Sequence, residues 1–298
     1  MISILIPTYN YNILPLVSEL NRQCIAEDIP YEIMALDDAS EDQEITAENS
    51  KINALPHCVF ERNTINLGRT KTRALLCEKA MYDRLLFLDA DVMPGSAAFI
   101  KNYVGVIRED ATVFGGYQYE NQRPVQDKIL RYVYGKTSEE KSAADRNKNP
   151  YQYVFSGNFL ITKADFIQHN FQGSEKYYGL DPYFAYQLLI HHKKVKHIDN
   201  AVYHLGLENN EIYFKKSLEA VDAKLELMLD LKDIHKINPI TRYYLTLKKY
   251  GALPVMALLF KIFGPFLKKM VFRQQPNMWC FKLYKLGYMC AAKPVTHV

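Results

Sequence analysis

A chain of 298 residues with 48% apolar and 23% charged side chains can bury one large α/β core, or one domain and a smaller appendage, without disulfides. The five scattered cysteines (Cys24, Cys58, Cys77, Cys280, Cys290) form no CxxC pair, so they offer no metal framework and suggest a reducing, cytoplasmic setting. The net charge of +4 hides a division: after Asp233 come eleven Lys and Arg and no Asp or Glu, so the body is slightly acidic and the end wholly basic.

Ile2–Ile6, ended by Pro7, has no basic flank and is expected to form a first strand, not a secretion signal. Strands are predicted over Tyr31–Leu36, Val59–Arg62 and Leu85–Leu88, with helices over Asn12–Cys24, Arg69–Tyr82 and Ser96–Arg108. That alternation predicts an α/β fold with a mainly parallel central sheet and helices on both faces. Ligands of such sheets sit at the carboxyl ends of the strands, which singles out Pro7–Asn10, Asp37–Ser40, Asn63–Arg69 and Asp89–Pro94. Further on, Thr112–Tyr119 reads as a strand, Val125–Gly135 as a helix and the polar Lys136–Pro150 as a mobile loop. Tyr153–Thr162 resumes the core, and Asp181–His191 is a helix opened by Asp-Pro. Val195–His204 is extended and Glu211–Leu231 a long helix. The basic end sets a boundary at 234/235.

The strongest motif is Leu85-Leu86-Phe87-Leu88-Asp89-Ala90-Asp91: a buried strand that delivers two carboxylates, one residue apart, at its carboxyl end. Mg²⁺ and Mn²⁺ take oxygen ligands, commonly one or two carboxylates plus substrate phosphates. Two aspartates at a strand end are also ordinary turn residues, so the neighbouring loops decide the matter. Pro7-Thr8-Tyr9-Asn10 offers a hydroxyl, a ring and an amide to a nucleoside, and Asp37-Asp38-Ala39-Ser40 adds two carboxylates for a base or ribose. Asn66-Leu67-Gly68-Arg69, with Arg73 a turn later, places cations at a helix start suited to phosphate.

In this order PTYN, DDAS, NLGRTKTRA and LDAD resemble family-2 glycosyltransferases, and the second half agrees. Ser156-Gly157-Asn158-Phe159 resembles the family's GGN-type strand, Tyr178-Gly179-Leu180-Asp181 its G-x-E-D segment, and His204-Leu205-Gly206 its H-x-G segment. The resemblance covers about residues 1–230. It implies the A-type glycosyltransferase fold and metal-dependent, inverting transfer from a nucleotide diphosphate sugar, a UDP-sugar by family habit, to a hydroxyl acceptor, saccharide or lipid-linked. It divides the body into a donor half, 1–116, and an acceptor half, 117–234. The implied donor site comprises Pro7, Thr8, Tyr9, Asp37, Asp38, Asn66, Gly68, Arg69, Arg73, Asp89, Ala90 and Asn158. Mn²⁺ or Mg²⁺ would lie on Asp89, Asp91 and His204, and Asp181 would be the catalytic base, with Glu175 next in line. Two departures stand out: Leu180 replaces the usual Glu before that Asp, and Tyr183 replaces a frequent acidic residue beyond it.

Two rival readings are a DxD-type phosphatase, since FLDADV fits such a start, and a catalytically inactive sugar-nucleotide-binding protein. Within the tail, 235–298, Tyr250–Met270 is apolar but broken by Pro254, Lys261, Gly264 and Pro265, too broken for a membrane span. It is expected to form one or two amphipathic helices lying peripherally on an anionic membrane, with Phe260, Phe263, Phe266 and Leu267 inserted. The alternative is a packed helical subdomain. No nucleic-acid module is recognisable.

Overall fold

The computed structural model describes residues 1–173, 177–229 and 231–292, so Glu175 lies outside the described residues. The first half runs β1 (Ile2–Thr8), α1 (Leu14–Ala26), β2 (Tyr31–Asp37), α2 (Gln43–Ser50), β3 (Cys58–Arg62), α3 (Arg69–Lys79) and β4 (Arg84–Leu88). After it come β5 (Val92–Pro94), α4 (Phe99–Val106), β6 (Thr112–Phe114), β7 (Tyr117–Gln118), α5 (Ile129–Tyr134), α6 (Ala143–Asn147), β8 (Asn158–Thr162) and α7 (Lys163–His169). The remainder is α8 (Asp181–Ile190), β9 (Val195–His197), β10 (Val202–His204), α9 (Asn210–Leu227), α10 (Pro239–Lys249), α11 (Leu253–Val271) and α12 (Met278–Ala291).

The chain divides into two compact units: Met1–Tyr119 with Glu140–Lys176 and Leu188–Gly206, and Glu120–Glu139 with Tyr177–Gln187 and Leu207–Val298. The first unit holds a seven-stranded sheet of order β3-β2-β1-β4-β8-β6-β9 and a small sheet of order β5-β10-β7. The strands from β3 to β4 are parallel, as the alternating pattern predicts. β8 runs antiparallel to both β4 and β6, and β9 is again parallel to β6. Leu85, Leu86, Phe87 and Leu88 are all fully buried, each contributing about 1.5–3 kcal/mol of burial. Phe87 stacks on Phe159 at 5.2 Å and on Phe166 at 4.3 Å, and Phe159 stacks on Phe114, which ties β4, β8, β6 and α7 together.

Three predicted segments differ. Lys136–Pro150 is not a loop: a helical turn spans Gly135–Glu139, followed by α6. Ser142 caps α6 by accepting from the Asp145 N–H, and Arg146, 1% exposed, donates to the carbonyls of Phe114, Gly115 and Ile198. Those inward bonds fold a segment that is polar along its length. Thr112–Tyr119 breaks at Gly115-Gly116 into β6 and β7, and Val195–His204 breaks at Asp199-Asn200 into β9 and β10, so each run feeds both sheets.

In the second unit α9 starts at an Asn209 cap, α10 at Asn238 followed by Pro239, and α12 at Asn277. Leu130, Tyr213, Phe214, Val271 and Phe281 make one buried cluster, and Val221, Tyr244, Leu286 and Met289 another. α11 continues through Gly264 and Pro265 as one helix. A side chain at Gly287 would strike the Phe260 ring, so glycine there admits that ring between α11 and α12. Phe260 is therefore packed, contrary to its expected insertion in a membrane, and Leu267 is also partly buried. Among the described residues no helix is long and apolar enough to cross a membrane.

Candidate functional site

The loops at the carboxyl ends of β1 to β4 meet as the parallel arrangement requires. Thr8 lies opposite Asp37 in the β1–β2 register, and its carbonyl accepts from the Asp38 N–H at 2.8 Å. Pro7 is the buried penultimate residue of β1, whereas the Tyr9 ring beyond the strand is 44% exposed. Asn10 ties this loop to the next: its N–H donates to Ser40 Oγ at 2.7 Å, and its Oδ1 accepts from the Glu41 N–H at 2.9 Å.

Both aspartates after β2 are buried and engaged within the protein. Asp37 accepts from the Ser40 hydroxyl and faces Arg62 Nε at 3.2 Å. Asp38 accepts from Leu67 N at 2.8 Å, from Gly68 N at 2.7 Å and from Asn63 Nδ2 at 3.1 Å, while the Asn66 amide donates to its carbonyl. Asp38 thus shapes the turn that starts α3. Gly68 stands at the helix cap with φ +86, a left-handed conformation that a side chain resists.

That turn aims Arg69 and Arg73 at the end of β4. Arg69 Nη2 lies 2.6 and 2.5 Å from the two oxygens of Asp89, and Arg73 Nη2 lies 2.7 Å from Oδ1 while also donating to the Ser156 carbonyl. Although burial opposes ionisation, the two guanidinium groups hold the Asp89 carboxyl at about 2. Asp91, across Ala90 in the turn between β4 and β5, differs. Burial pushes its carboxyl up, His204 opposes this, and the Asp89 charge adds to it. His204 Nε2 lies 3.7 Å from Asp91 Oδ2, and its ring is flanked by Tyr119, stacked at 5.7 Å, and Tyr117, edge-on at 5.5 Å.

Asp91 and His204 suit a small divalent cation. Adjacent ligands at about 2.0–2.1 Å in an octahedral shell stand about 3 Å apart, so this pair, at 3.7 Å, would have to close by several tenths of an ångström on an ion. Among the described residues there is no group of three or more His, Cys, Asp or Glu able to hold an ion. Asp91 and His204 could supply two ligands to an ion whose shell substrate phosphates and water would complete.

Asn158, expected to touch the donor, has another task. It is 1% exposed; its Oδ1 accepts from Tyr103 Oη at 2.6 Å, and its Nδ2 donates to the carbonyls of Gly116 and Asn200 at 2.9 and 3.0 Å. The amide is used up bracing the loops behind the site. Several contributors escaped sequence reasoning. Tyr117 Oη donates to Asp89 at 3.4 Å, and a side chain at Gly157 would strike that same pair. A side chain at Gly206 would strike the Asp91 carboxylate, so the glycine of HLG is needed for room. Tyr11 lies near Asp91, and its hydroxyl is pushed up by burial and by that charge. Only the glycines carried a signal, as parts of the GN and H-x-G patterns.

Asp181 belongs to the second unit, where it is half-buried at the start of α8. The Lys224 side chain on α9 bonds the Ala220 carbonyl at 2.8 Å. Burial pulls its amine down to about 8, partly offset by the Asp181 charge. The fold allows this approach at Gly179, where a side chain would meet Ala220 of α9.

Among solved structures, the mannosyltransferase PcManGT from Pyrobaculum calidifontis, in complex with GDP-Man and Mn²⁺, is 13% identical with a TM-score of 0.60, over 97% of this chain and 85% of that one. Staphylococcus aureus TarS is 19% identical with a TM-score of 0.50 over 79% of this chain, and the match spans only 41% of TarS. Both likenesses speak to the fold. A sequence comparison with curated proteins finds no match. The family model for glycosyl transferase family 2 matches residues 3–171, more than half of the chain, and takes in the PTYN, DDAS, NLGR and DAD loops of the sheet edge; this chain belongs to glycosyl transferase family 2.

Proposed function

We propose that the protein transfers a sugar from a nucleoside diphosphate sugar to a hydroxyl of a saccharide or lipid-linked acceptor, with inversion. The observation that supports this best is the unequal pair at the end of β4. Asp89 is held by two arginines, while Asp91 and His204 stand together 3.7 Å apart. In this reading Tyr9 stacks the base, Arg69 engages the diphosphate, and Asp91 with His204 hold Mn²⁺ or Mg²⁺. A cation held by Asp91 and His204 would offset charge on the departing diphosphate. Asp181 takes the acceptor proton as the hydroxyl oxygen bonds to the anomeric carbon and the bond to the diphosphate breaks.

The test is a panel of UDP- and GDP-sugars with Mn²⁺, Mg²⁺ or EDTA, read as nucleotide diphosphate release. Turnover should require the metal. Asp91→Asn should abolish it and should weaken Mn²⁺ binding measured by calorimetry in the presence of UDP. Asp181→Asn should keep nucleotide binding and lose turnover by at least about 10²-fold. Full turnover in EDTA overturns the metal assignment; full turnover of Asp181→Asn moves the base elsewhere. Phosphomonoester cleavage without sugar transfer would favour the phosphatase reading.

A further inference from the structure

α11 is a surface helix with an exposed apolar stripe. Val255, Leu258, Leu259, Ile262, Phe263 and Phe266 are each at least 43% exposed. Five of them fall at the spacings i, i+3, i+4, i+7 and i+11 from Val255, and Phe263 borders the stripe. Its other side is already occupied, since Gly264 and Val271 are buried and Phe260 fills the space at Gly287 of α12. The outer stripe is thus a second apolar face that the second unit leaves unpartnered. On α12, Trp279 is 76% exposed and Leu283 is 42% exposed.

The charges beside these residues select the partner. From Ile234 onward there is no Asp or Glu, and eleven Lys and Arg carry the charge. Lys285 is buried between Tyr134 and Phe281, and Lys268, itself exposed, lies over the Phe214 and Phe272 rings. Lys248, Lys249, Lys261, Lys269 and Lys282 are exposed, before, along and after the apolar stripe. A second copy meeting this face through a two-fold axis would set lysines against lysines. A nucleic acid would leave the aliphatic stripe uncovered. An anionic lipid surface accepts both features, with acyl chains for the stripe and headgroups for the cations.

We propose that α11 lies in the plane of an anionic bilayer surface, its Val255–Phe266 stripe below the headgroups and its lysines among them, with Trp279 as an interfacial anchor. The docking is peripheral, since α11 cannot cross, and it is independent of the proposed transfer chemistry.

Trp279 is the chain's single tryptophan, so its emission reports on this surface alone. The full chain is mixed at low salt with vesicles of phosphatidylcholine, or of phosphatidylcholine with phosphatidylglycerol. It should sediment with the anionic vesicles, its emission should move to shorter wavelength, and brominated acyl chains should quench it. Lys261→Gln and Lys249→Gln should each weaken vesicle affinity by about fivefold. Ile262→Glu and Phe263→Glu should weaken it by about tenfold or more and leave the melting temperature unchanged, because both side chains are exposed; Phe263→Ser repeats the test without added charge. Absence of sedimentation and of any spectral change at low salt overturns the proposal. So does binding that these apolar substitutions leave untouched. Self-association that Phe263→Glu abolishes, with anionic vesicles ignored, would assign the face to a second copy instead.

Discussion

Arg69 and Arg73 hold the same carboxylate from different surroundings, and substituting them separates stability from binding. The Arg73 side chain is 7% exposed and that of Arg69 is 48% exposed. Arg73→Leu removes a bond to Asp89 and one to the Ser156 carbonyl, each charge-assisted and worth about 1.5–3 kcal/mol. Burial of the leucine returns about 1.5–3 kcal/mol, and Asp89 keeps Arg69, so the net loss is about 2–3 kcal/mol. For a chain of this size that lowers the melting temperature by roughly 5–10 °C. Arg69→Leu breaks a solvent-screened pair and costs at most about 1 kcal/mol. In binding the order reverses: if Arg69 serves the diphosphate, its loss weakens UDP binding by roughly tenfold to a hundredfold. Thermal melts and calorimetric titration of UDP into both variants check the pair. The reasoning is refuted if Arg69→Leu melts below Arg73→Leu, or if it binds UDP as well as the unaltered protein does.

Gly206→Ala drives a methyl group into the Asp91 carboxylate, which must move. Displacements on the order of 1 Å at a reacting centre cost up to about 10²-fold. Turnover should fall on that scale with an unchanged circular dichroism spectrum, and undiminished turnover would show that Asp91 is not needed where it stands. His197 is buried, with Nδ1 3.0 Å from Arg146 and Nε2 donating to the Pro150 carbonyl at 2.9 Å. Burial, opposed by the Pro150 bond and reinforced by Arg146, pulls it down to about 4. The folded value lies below the unfolded value of about 6.5, so its contribution is complete above pH 6.5 and fades as pH falls towards 4, by about 3 kcal/mol in all. Urea unfolding at neutral pH and near pH 4.5 should show a smaller loss in His197→Gln than in the unaltered protein; equal losses would contradict the assignment.

The sheet edge was legible because each strand from β1 to β4 is a short apolar run ended by the polar residues that make the site. Direction was less so. Asn158–Thr162 has the composition of any buried strand, and nothing local says that β8 runs against β4. Arg146 was illegible for a different reason. A lone arginine in a polar segment gives no sign that three carbonyls, distant in sequence, will converge on it. Residue types at Asp38 and Asn158 suggested ligand contacts, yet their hydrogen bonds close inward, since a loop that presents a site needs polar groups to hold it.

Asp89 sets one negative charge against the two guanidinium groups of Arg69 and Arg73, so the cluster keeps one positive charge in excess. A phosphate that engages Arg69 has to draw it away from Asp89. If Arg69 serves the diphosphate, donor entry is an exchange of one anion for another on a shared cation, and its free energy is a difference between two similar pairings. A singly bound inorganic anion gains little from such a swap. A diphosphate that brought a cation to Asp91, as proposed, would gain at two places at once. Discrimination on this footing begins before any base or sugar has been read.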